Sequence, residues 1–338
     1  MSMAPDRHEI AVSDFRMHAD TLITAQSYLI DRIVPDCEII TLPGRVVPGG
    51  TIPYRRVAQM PAPPHHTRLR DRIRGKTRKA PVPLLGRLGL ECRVVSPENW
   101  SHFLNIHAPL AIELARRLDM PVRDLTLILP ADLPGFIQRA AEHLGLRIQM
   151  TDGPVQGPGV LFDLTGNVIR PDRRDWLLAS GVIDDLARQP VADLPRHVFL
   201  ARRKTRHLTN QDEIEAILSP RGFTTIYPED LPVAQQFALF NAAETIVAVH
   251  GAGLGPLLYR HPDSPLQHLV EILPAGHMTD MFRMMAQQVG CDWIGIRGRI
   301  KPEYVKPAYD LGRFFTAYSL DGFEADPVAL DRALARMP

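Results

Sequence analysis

The stretch Thr245-Ile-Val-Ala-Val-His-Gly-Ala-Gly-Leu-Gly-Pro-Leu-Leu-Tyr-Arg260 decides the fold prediction for this chain of 338 residues. Its apolar run Ile246 to Val249 predicts a buried parallel strand, and a helix is predicted from Leu254 onward. Between the strand and the helix stand one histidine and three glycines at alternate positions, namely His250, Gly251, Gly253 and Gly255. Glycines let the backbone approach a ligand closely, and a helix N-terminus offers free N–H groups. The turn therefore predicts a phosphate or pyrophosphate site.

Predicted strands and helices alternate along the chain from about residue 92, and a second such series starts near residue 197. This alternation predicts an α/β protein with parallel sheets that are covered by helices on both faces. The stretch from Pro190 to Pro195 is the natural linker between the two series. We therefore divide the chain into four parts. Residues 1–90 form a region of irregular structure and short strands packed on the first domain, and residues 91–190 form a first Rossmann-like domain. Residues 191–300 form a second Rossmann-like domain, and residues 301–338 form a tail with a helix. In this arrangement the tail helix is expected to pack back across the first domain.

The bulk composition is that of a globular protein without a charge bias. The chain is 45% hydrophobic and 23% charged, and its net charge of +1 gives no reason to expect nucleic acid as a partner. Its three cysteines, Cys37, Cys92 and Cys291, lack metal-ligand spacing and favour reduced thiols in the cytoplasm. No stretch has the pattern of a signal peptide or the length of a membrane span.

One local departure from this neutral composition is the basic run of residues 65–79. A charge run is commonly a solvated face, and the alternative is contact with an anionic acceptor, a lipid headgroup or a membrane surface. The sequence therefore predicts a cytoplasmic protein. If residues 65–79 contact a membrane surface, the protein is also peripheral to the inner membrane.

Charged side chains follow two further predicted strands of the second domain. Arg203 and Arg206 come shortly after the strand His197–Ala201, where α/β sheets bind ligands, and their forked donors suit phosphate oxygens. Glu271 ends the strand Gln267–Leu273, about 20 residues after the glycine turn, a spacing at which an acid reaches a ribose hydroxyl. The competing interpretations are a solvated loop and a carboxylate paired with an arginine. This pattern does not distinguish a sugar nucleotide from NAD.

The second domain also resembles a known family. The matching elements run in order from Phe199-Leu-Ala-Arg-Arg203 to Val270-Glu-Ile272: Phe199–Arg203, Arg206, Asn210, Gly222-Phe223, Pro228-Glu229, Gln235-Gln236, Phe240–Ala243, His250–Leu254 and Val270–Ile272. In the first domain, Asn99-Trp-Ser-His-Phe-Leu104 and Pro109 complete the pattern. In this combination the chain is similar to glycosyltransferase family 61, of the type that includes capsular polysaccharide transferases. The resemblance covers roughly residues 95–275.

The resemblance implies a GT-B-like fold, in which two Rossmann-like domains face each other across a cleft. It implies an inverting, metal-independent transfer of a sugar from a nucleotide-sugar donor, expected to be UDP-linked, to a saccharide or glycolipid acceptor. The role that it implies is surface or capsular polysaccharide synthesis. No other cofactor is expected. The donor-binding residues that it implies are Arg203, Arg206, Asn210, His250, Gly251, Gly253, Leu254 and Glu271.

The identity of the catalytic base is the point where the chain departs from the family. The family segment often carries an acid four residues after the histidine that corresponds to His102, and here that position is Ile106. His102 is the first candidate for the base and His107 the second, although five residues of an α-helix would turn the two side chains apart. Two other functions remain open: a nicotinamide-dependent oxidoreductase, and a non-catalytic subunit that binds a sugar nucleotide.

Overall fold

The computed structural model describes residues 7–17, 21–25, 40–42, 44–63, 80–164, 173–189, 193–274, 279–299 and 320–337. The chain forms two compact units. The first unit comprises residues 1–14 and 48–182, and the second comprises residues 15–47 and 183–338. The β-strands are β1 (Arg7–Val12), β2 (Phe15–Met17), β3 (Thr21–Ala25), β4 (Ile40–Leu42), β5 (Arg45–Val47), β6 (Gly50–Val57), β7 (Val82–Pro83), β8 (Leu88–Glu91), β9 (Leu125–Leu129), β10 (Arg147–Met150), β11 (Val155–Gln156), β12 (Gly159–Phe162), β13 (His197–Leu200), β14 (Thr224–Ile226), β15 (Thr245–Val249), β16 (His268–Leu273) and β17 (Asp292–Arg297).

The helices lie between these strands. They are α1 (Trp100–His102), α2 (Ala108–Arg117), α3 (Gly135–His143), α4 (Arg174–Ala179), α5 (Val182–Ala187), α6 (Gln211–Leu218), α7 (Val233–Ala242), α8 (Met281–Gln288) and α9 (Pro327–Leu334). A π-helical turn, Phe103–His107, joins α1 to α2 without a break, and a 3₁₀-helix, Ala252–Tyr259, follows β15.

The sheet of the first unit has the order β1-β6-β12-β8-β9-β10. Strands β12, β8, β9 and β10 run parallel, and β6 and β1 extend the sheet in antiparallel pairing. Every residue of β9 is buried, as expected of a parallel strand that is covered on both faces. The strand order reverses at β8, which has β9 on one side and β12 on the other. Ligands of open α/β sheets bind outside the carboxyl ends of strands at such a reversal.

The sheet of the second unit has the order β14-β13-β15-β16-β17-β3-β4. All pairs from β14 to β3 are parallel, and β4 pairs with β3 in antiparallel fashion. The first five strands thus follow the flavodoxin-like order 2-1-3-4-5, in which the reversal lies between the first and third strands. These strands are β13 and β15. The predicted α/β class with parallel sheets is confirmed, whereas the predicted cleft between two facing domains stays a prediction.

Several predicted elements of this α/β pattern shift for identifiable reasons. The strand predicted at Cys92–Val95 lies earlier, at Leu88–Glu91, because the chain turns at Val95 and Ser96, whose φ angles of 61° and 48° do not fit a strand. The single helix predicted between residues 172 and 188 is two helices, α4 and α5, separated at Gly181, where φ is 77°. The helix predicted from Leu254 is a 3₁₀-helix, Ala252–Tyr259, that contains Pro256.

Residues 15–47 and the C-terminal part of the chain belong to the second unit. Residues 15–47 group with it because β3 adds to the edge of its sheet beside β17, whereas all of residues 1–90 are predicted from the sequence to pack on the first domain. The predicted tail helix is α9, and its buried residues Ala329, Leu330 and Ala333 pack in the core of the second unit. The buried face of α9 is therefore covered within its own unit, and packing of this helix across the first domain stays a prediction.

The structure describes two of the three cysteines and does not describe the basic run. Cys92 and Cys291 are buried free thiols, and Cys37 lies outside the described residues. The basic run 65–79 also lies outside the described residues, so its membrane or acceptor contact stays a prediction. Among the described helices, none has both the length and the apolar character needed to cross a bilayer.

Candidate functional site

The strand reversal of the second unit brings together two loops that carry the predicted donor residues. In the parallel pairing of β13 with β15, Leu200 lies opposite Ala248. The loop Arg202–Arg206 leaves the end of β13, and the turn His250–Gly253 leaves the end of β15. Both loops therefore lie at the carboxyl edge of neighbouring strands, at the position where doubly wound sheets bind ligands.

Arg202 packs directly on the backbone of the glycine turn. A Cβ atom added to Gly251 would lie 1.7 Å from Nη1 of Arg202, and the φ angle of Gly251 is 155°, which L side chains rarely adopt. Glycine is therefore required at this position, because any side chain would displace the guanidinium. Thr205 fixes that guanidinium, since its carbonyl oxygen accepts from Nε at 2.8 Å and its hydroxyl from Nη2 at 3.1 Å.

Arg202 is not among the residues predicted from the sequence to bind the donor, whereas Arg203 and Arg206 of the same loop are. The signal in the sequence for Arg202 is that it is the first cation after the predicted strand His197–Ala201.

Arg206 lies in the same partly buried loop and interacts with Arg202. Burial, and then the neighbouring Arg202 charge, lower the pKa of the Arg206 guanidinium to about 10. Burial also lowers the pKa of Arg202, and the Glu229 carboxylate opposes that shift. Two guanidinium groups that repel each other in a partly dehydrated loop favour a bound anion with more than one negative charge. Arg206 also has a φ angle of 59°, in the left-handed region that residues with a side chain seldom adopt.

Arg203, in contrast, is engaged with neighbouring side chains. Its Nη1 and Nη2 donate to the two carboxylate oxygens of Asp230 at 2.6 and 2.5 Å, and its guanidinium carbon lies 3.7 Å from the centre of the Tyr227 ring. This bidentate hydrogen bonding raises the pKa of Arg203. A phosphate would have to displace Asp230 to bind Arg203, so the geometry favours Arg202, which packs on the glycine turn, over Arg203 as an anion ligand.

The glycine turn does not offer the Leu254 amide that is predicted from the sequence to bind the donor. The N–H of Leu254 donates to the Gly251 carbonyl at 3.1 Å, so the predicted contact of this amide with a diphosphate does not fit the structure. Gly253 is required for packing, because a Cβ atom there would lie 2.9 Å from Cγ of Pro228. The first amides of the 3₁₀-helix, those of Ala252 and Gly253, have no acceptor within the helix itself. These amides of the turn can meet an anion.

Glu271 is the buried partner of His250. Nδ1 of His250 donates to Oε1 of Glu271 at 2.5 Å, and the indole Nε1 of Trp293 donates to Oε2 at 2.7 Å. The Glu271 side chain is 0% exposed, and both of its oxygens are occupied. Its position follows from strand register, because Glu271 in β16 lies opposite Ala248 in β15. The predicted hydrogen bond to a ribose therefore does not fit the structure, which gives Glu271 the role of holding His250.

Asn210 connects the donor loop to the C-terminal part of the chain. Its Oδ1 accepts from the Ala325 amide at 3.0 Å and its Nδ2 donates to the Ala325 carbonyl at 2.8 Å. Nδ2 also donates to Glu213 at 2.9 Å, and the side chain makes no capping hydrogen bond to α6. This geometry favours a positioning role for Asn210 over the predicted contact with the donor.

The first unit carries the two histidine candidates at the ends of its π-helical turn: His102 immediately precedes the turn, and His107 is its last residue. Pro109 has no N–H, so the Asn105 carbonyl four residues earlier lacks its α-helical donor. The backbone adapts by donating from Ala108 to the Phe103 carbonyl, which is the five-residue spacing of a π-helix. Nη1 of the fully buried Arg173 donates to the Asn105 carbonyl at 2.7 Å. The wider turn places His102 and His107 near the same Val95 carbonyl, whereas an α-helix would turn them apart.

His102 has the geometry of a base. Its Nδ1 lies 3.2 Å from the Val95 carbonyl oxygen, and because a carbonyl only accepts, Nδ1 carries the proton. In the neutral ring Nε2 then holds the lone pair that can take a proton. His102 is half-buried, and Val95, whose carbonyl orients it, is itself in the left-handed region, where β-branched residues are rare. Backbone strain of this kind is concentrated at functional sites.

His107 is unsuited to act as the base. It is 1% exposed, and burial lowers its pKa to about 3, with further lowering by Arg173 and His102, while the Val95 carbonyl opposes the shift. A group with so low a pKa accepts a proton poorly near neutral pH. Ile106, at the position where the family often has an acid, is a fully buried core residue.

Comparison with known proteins gives a family match over most of the chain. The family model described as Glycosyltransferase 61 matches residues 30–266. The chain is 34% identical over 90 residues to the beta-1,2-xylosyltransferase XAX1 of Oryza sativa subsp. japonica, which is 26% of this chain and 15% of that protein. It is 25% identical over 173 residues to the alpha-1,3-arabinosyltransferase XAT2 of the same plant, 49% of this chain and 26% of that protein.

The chain therefore spans about a quarter or less of these two relatives. Among solved structures, the crystal structure of the dodecameric iron-containing heptosyltransferase TibC with ADP-D-beta-D-heptose aligns with 57% of this chain and 58% of that one, at 13% identity and a TM-score of 0.30.

Proposed function

Because the chain belongs to the glycosyltransferase 61 family, we propose that it transfers a sugar from a nucleotide-sugar donor to a saccharide acceptor. The observation that carries the proposal is the packing of Arg202 on Gly251, beside Arg206, at the strand reversal of the second unit. This arrangement offers two positive charges and a close backbone approach, which suit the diphosphate of a nucleotide sugar. The two plant relatives are named for xylosyl and arabinosyl transfer, which favours a pentose as the donated sugar.

The proposed reaction is a single displacement with inversion. The acceptor hydroxyl oxygen forms the new bond to the anomeric carbon while the bond from that carbon to the diphosphate oxygen breaks. Nε2 of His102 takes the hydroxyl proton, and Arg202 and Arg206 stabilise the charge that develops on the departing nucleoside diphosphate. Donors that are already aimed at a leaving group are typically the largest catalytic contribution. Metal independence is part of the proposal, because two guanidinium groups can provide the charge stabilisation that a divalent cation gives elsewhere.

The substrates and the setting complete the proposal. We assign a UDP-linked donor, a saccharide or glycolipid acceptor in surface or capsular polysaccharide synthesis, and a cytoplasmic location with peripheral contact to the inner membrane through residues 65–79. The family match supports the donor and acceptor classes. The basic composition of residues 65–79 supports attraction to an anionic membrane surface.

The test is a transfer assay with a panel of donors: UDP-xylose, UDP-arabinose, UDP-glucose and GDP-mannose, each with xylan and capsular oligosaccharides, with and without EDTA. We expect release of UDP and transfer of a pentose, both unchanged by EDTA. Loss of turnover with EDTA would contradict metal independence. Nucleotide binding without any turnover would favour a non-catalytic subunit, and NADH binding without UDP binding would favour an oxidoreductase.

A further inference from the structure

The backbone of Arg206 is held in its left-handed conformation by a segment that lies far along the chain. The Arg206 amide donates to the Leu320 carbonyl at 3.1 Å. Two further backbone hydrogen bonds continue the contact, from Phe323 to the His207 carbonyl at 3.1 Å and from Thr209 to the Phe323 carbonyl at 2.9 Å. We call residues 320–326 the C-terminal clamp.

Side chains fix the C-terminal clamp on both sides of these backbone bonds. The carboxamide of Asn210 bonds both the amide and the carbonyl of Ala325. Phe323, 1% exposed, belongs to the core of the second unit. Gly322 allows a close approach, because a Cβ atom there would lie 2.7 Å from Cε1 of the His207 ring. The loop and the C-terminal clamp therefore form one packed unit.

We propose that the C-terminal clamp is part of the donor site, with Asn210, Gly322 and the Leu320 carbonyl as positioning elements that hold the Arg206 guanidinium beside Arg202. The inference rests on the proposed function, because it takes Arg206 as a ligand of the diphosphate. The family match ends at residue 266, so the C-terminal clamp completes the site from outside the matched region. It acts through the backbone: without the Leu320 carbonyl and its neighbouring bonds, Arg206 would relax toward more common φ angles and its side chain would move away.

Two variants loosen the C-terminal clamp without removing a charge from the loop. Asn210→Ala removes both bonds to Ala325, and Gly322→Ala forces the C-terminal clamp away from His207. The matched control is Asn241→Ala, because the Asn241 Oδ1 also fixes a backbone amide of the second unit, that of His261, at 2.7 Å. Titration calorimetry measures the affinities of these three variants, of Arg206→Ala and of the wild type for inorganic pyrophosphate, UDP and uridine. The apo unfolding temperature of each protein reports folding separately.

We expect Asn210→Ala and Gly322→Ala to weaken pyrophosphate and UDP binding by about tenfold or more, as expected for one lost charge-assisted hydrogen bond, and to leave the affinity for uridine unchanged. Asn241→Ala should bind all three like the wild type. A merely structural role would lower the unfolding temperature and weaken UDP and uridine alike, and that result would overturn the inference. So would weaker binding in Asn210→Ala alone, because it would make Asn210 a direct ligand.

Failure of the proposed function has a different signature. If Arg206→Ala weakens pyrophosphate binding but Asn210→Ala and Gly322→Ala do not, the result supports the proposed donor site and contradicts the proposed role of the C-terminal clamp. If the wild-type protein binds neither pyrophosphate nor UDP, the result contradicts both the proposed function and the proposed role of the C-terminal clamp.

Discussion

Nδ1 of His250 lies 2.5 Å from Oε1 of Glu271, and the two residues stand on neighbouring parallel strands of the second unit. The second carboxylate oxygen accepts from the indole of Trp293 at 2.7 Å. The His250 amide also continues the ladder by donating to the Ile272 carbonyl at 2.9 Å. Glu271 thus fixes the residue that immediately precedes the glycine turn, which links the core of the sheet to the donor site.

The Glu271 carboxylate is predicted to contribute measurably to stability. A glutamine at 271 has one acceptor and one donor in place of two acceptors, while His250 and Trp293 both donate to this side chain. Glu271→Gln should therefore lower the free energy of unfolding by about 1–3 kcal/mol, measured by urea denaturation. The control is Glu229→Gln at a solvent-exposed side chain, with an expected change within about 0.5 kcal/mol. Equal effects of the two substitutions would show that the buried contacts of Glu271 contribute nothing to the free energy of unfolding.

The glycine at 251 is predicted to be required for the position of Arg202. In Gly251→Ala the new Cβ atom would lie 1.7 Å from Arg202 Nη1, so the guanidinium must move. We expect UDP affinity to fall at least about tenfold, as expected for a lost hydrogen bond to a charged group. Gly290→Ala is the matched control, because Gly290 also has a positive φ, 69°, but nothing lies within 4 Å of an added Cβ. If both variants bind UDP equally well, the contact between Arg202 and Gly251 has no role in binding.

Turnover is predicted to depend on His102 and not on His107. His102→Gln removes the proposed base and should lower kcat by about 10² to 10⁴, the usual contribution of general base catalysis. His107→Gln should keep kcat within about tenfold of the wild type, because the buried ring, with its pKa of about 3, is a poor proton acceptor. Steady-state assays with saturating donor and acceptor distinguish the two. A larger loss of kcat in His107→Gln would reverse the assignment.

The buried His107 is also predicted to make stability depend on pH. Its pKa falls from 6.5 to about 3 on folding, so the unfolded state binds the additional proton between these values. This contribution to stability is fully present above pH 6.5 and is lost as the pH falls. Between pH 7 and pH 5 the wild type should lose about 2 kcal/mol through this group. Urea denaturation at the two pH values should show a smaller loss of unfolding free energy for His107→Gln than for the wild type. An identical loss in the two proteins would contradict the role of His107 burial.

The central strands β15 and β16 of the second unit could be predicted from the sequence because every residue of each is buried. Their sequences are largely apolar, and the first residue of each observed strand differs by one from the predicted Ile246–Val249 and Gln267–Leu273. Long-range pairing leaves no such local signal. The addition of β3 to the edge of the sheet beside β17, and the packing of α9 on the second unit, therefore needed the structure.

The positions of the two loops that carry the candidate site could be predicted, but the contacts of individual side chains could not. Strand ends and glycines locate the two loops of the second unit. Which arginine meets the turn depends on backbone angles, such as the φ of 59° at Arg206, and on competing partners, such as Asp230 for Arg203. The π-helical turn at His102 likewise follows from the missing amide of Pro109, which changes the helical period on which the sequence argument relied.

The proposed binding of the donor diphosphate by Arg202 and Arg206 is tested by titration calorimetry of UDP against Arg202→Ala, Arg206→Ala and Arg203→Ala. Arg203→Ala is the matched control, because it removes a cation of the same loop that is bonded to Asp230. We predict that Arg202→Ala and Arg206→Ala each weaken UDP binding by about 10- to 100-fold, and that Arg203→Ala binds within about threefold of the wild type. Equal losses in all three variants, or a loss confined to Arg203→Ala, would contradict the assignment.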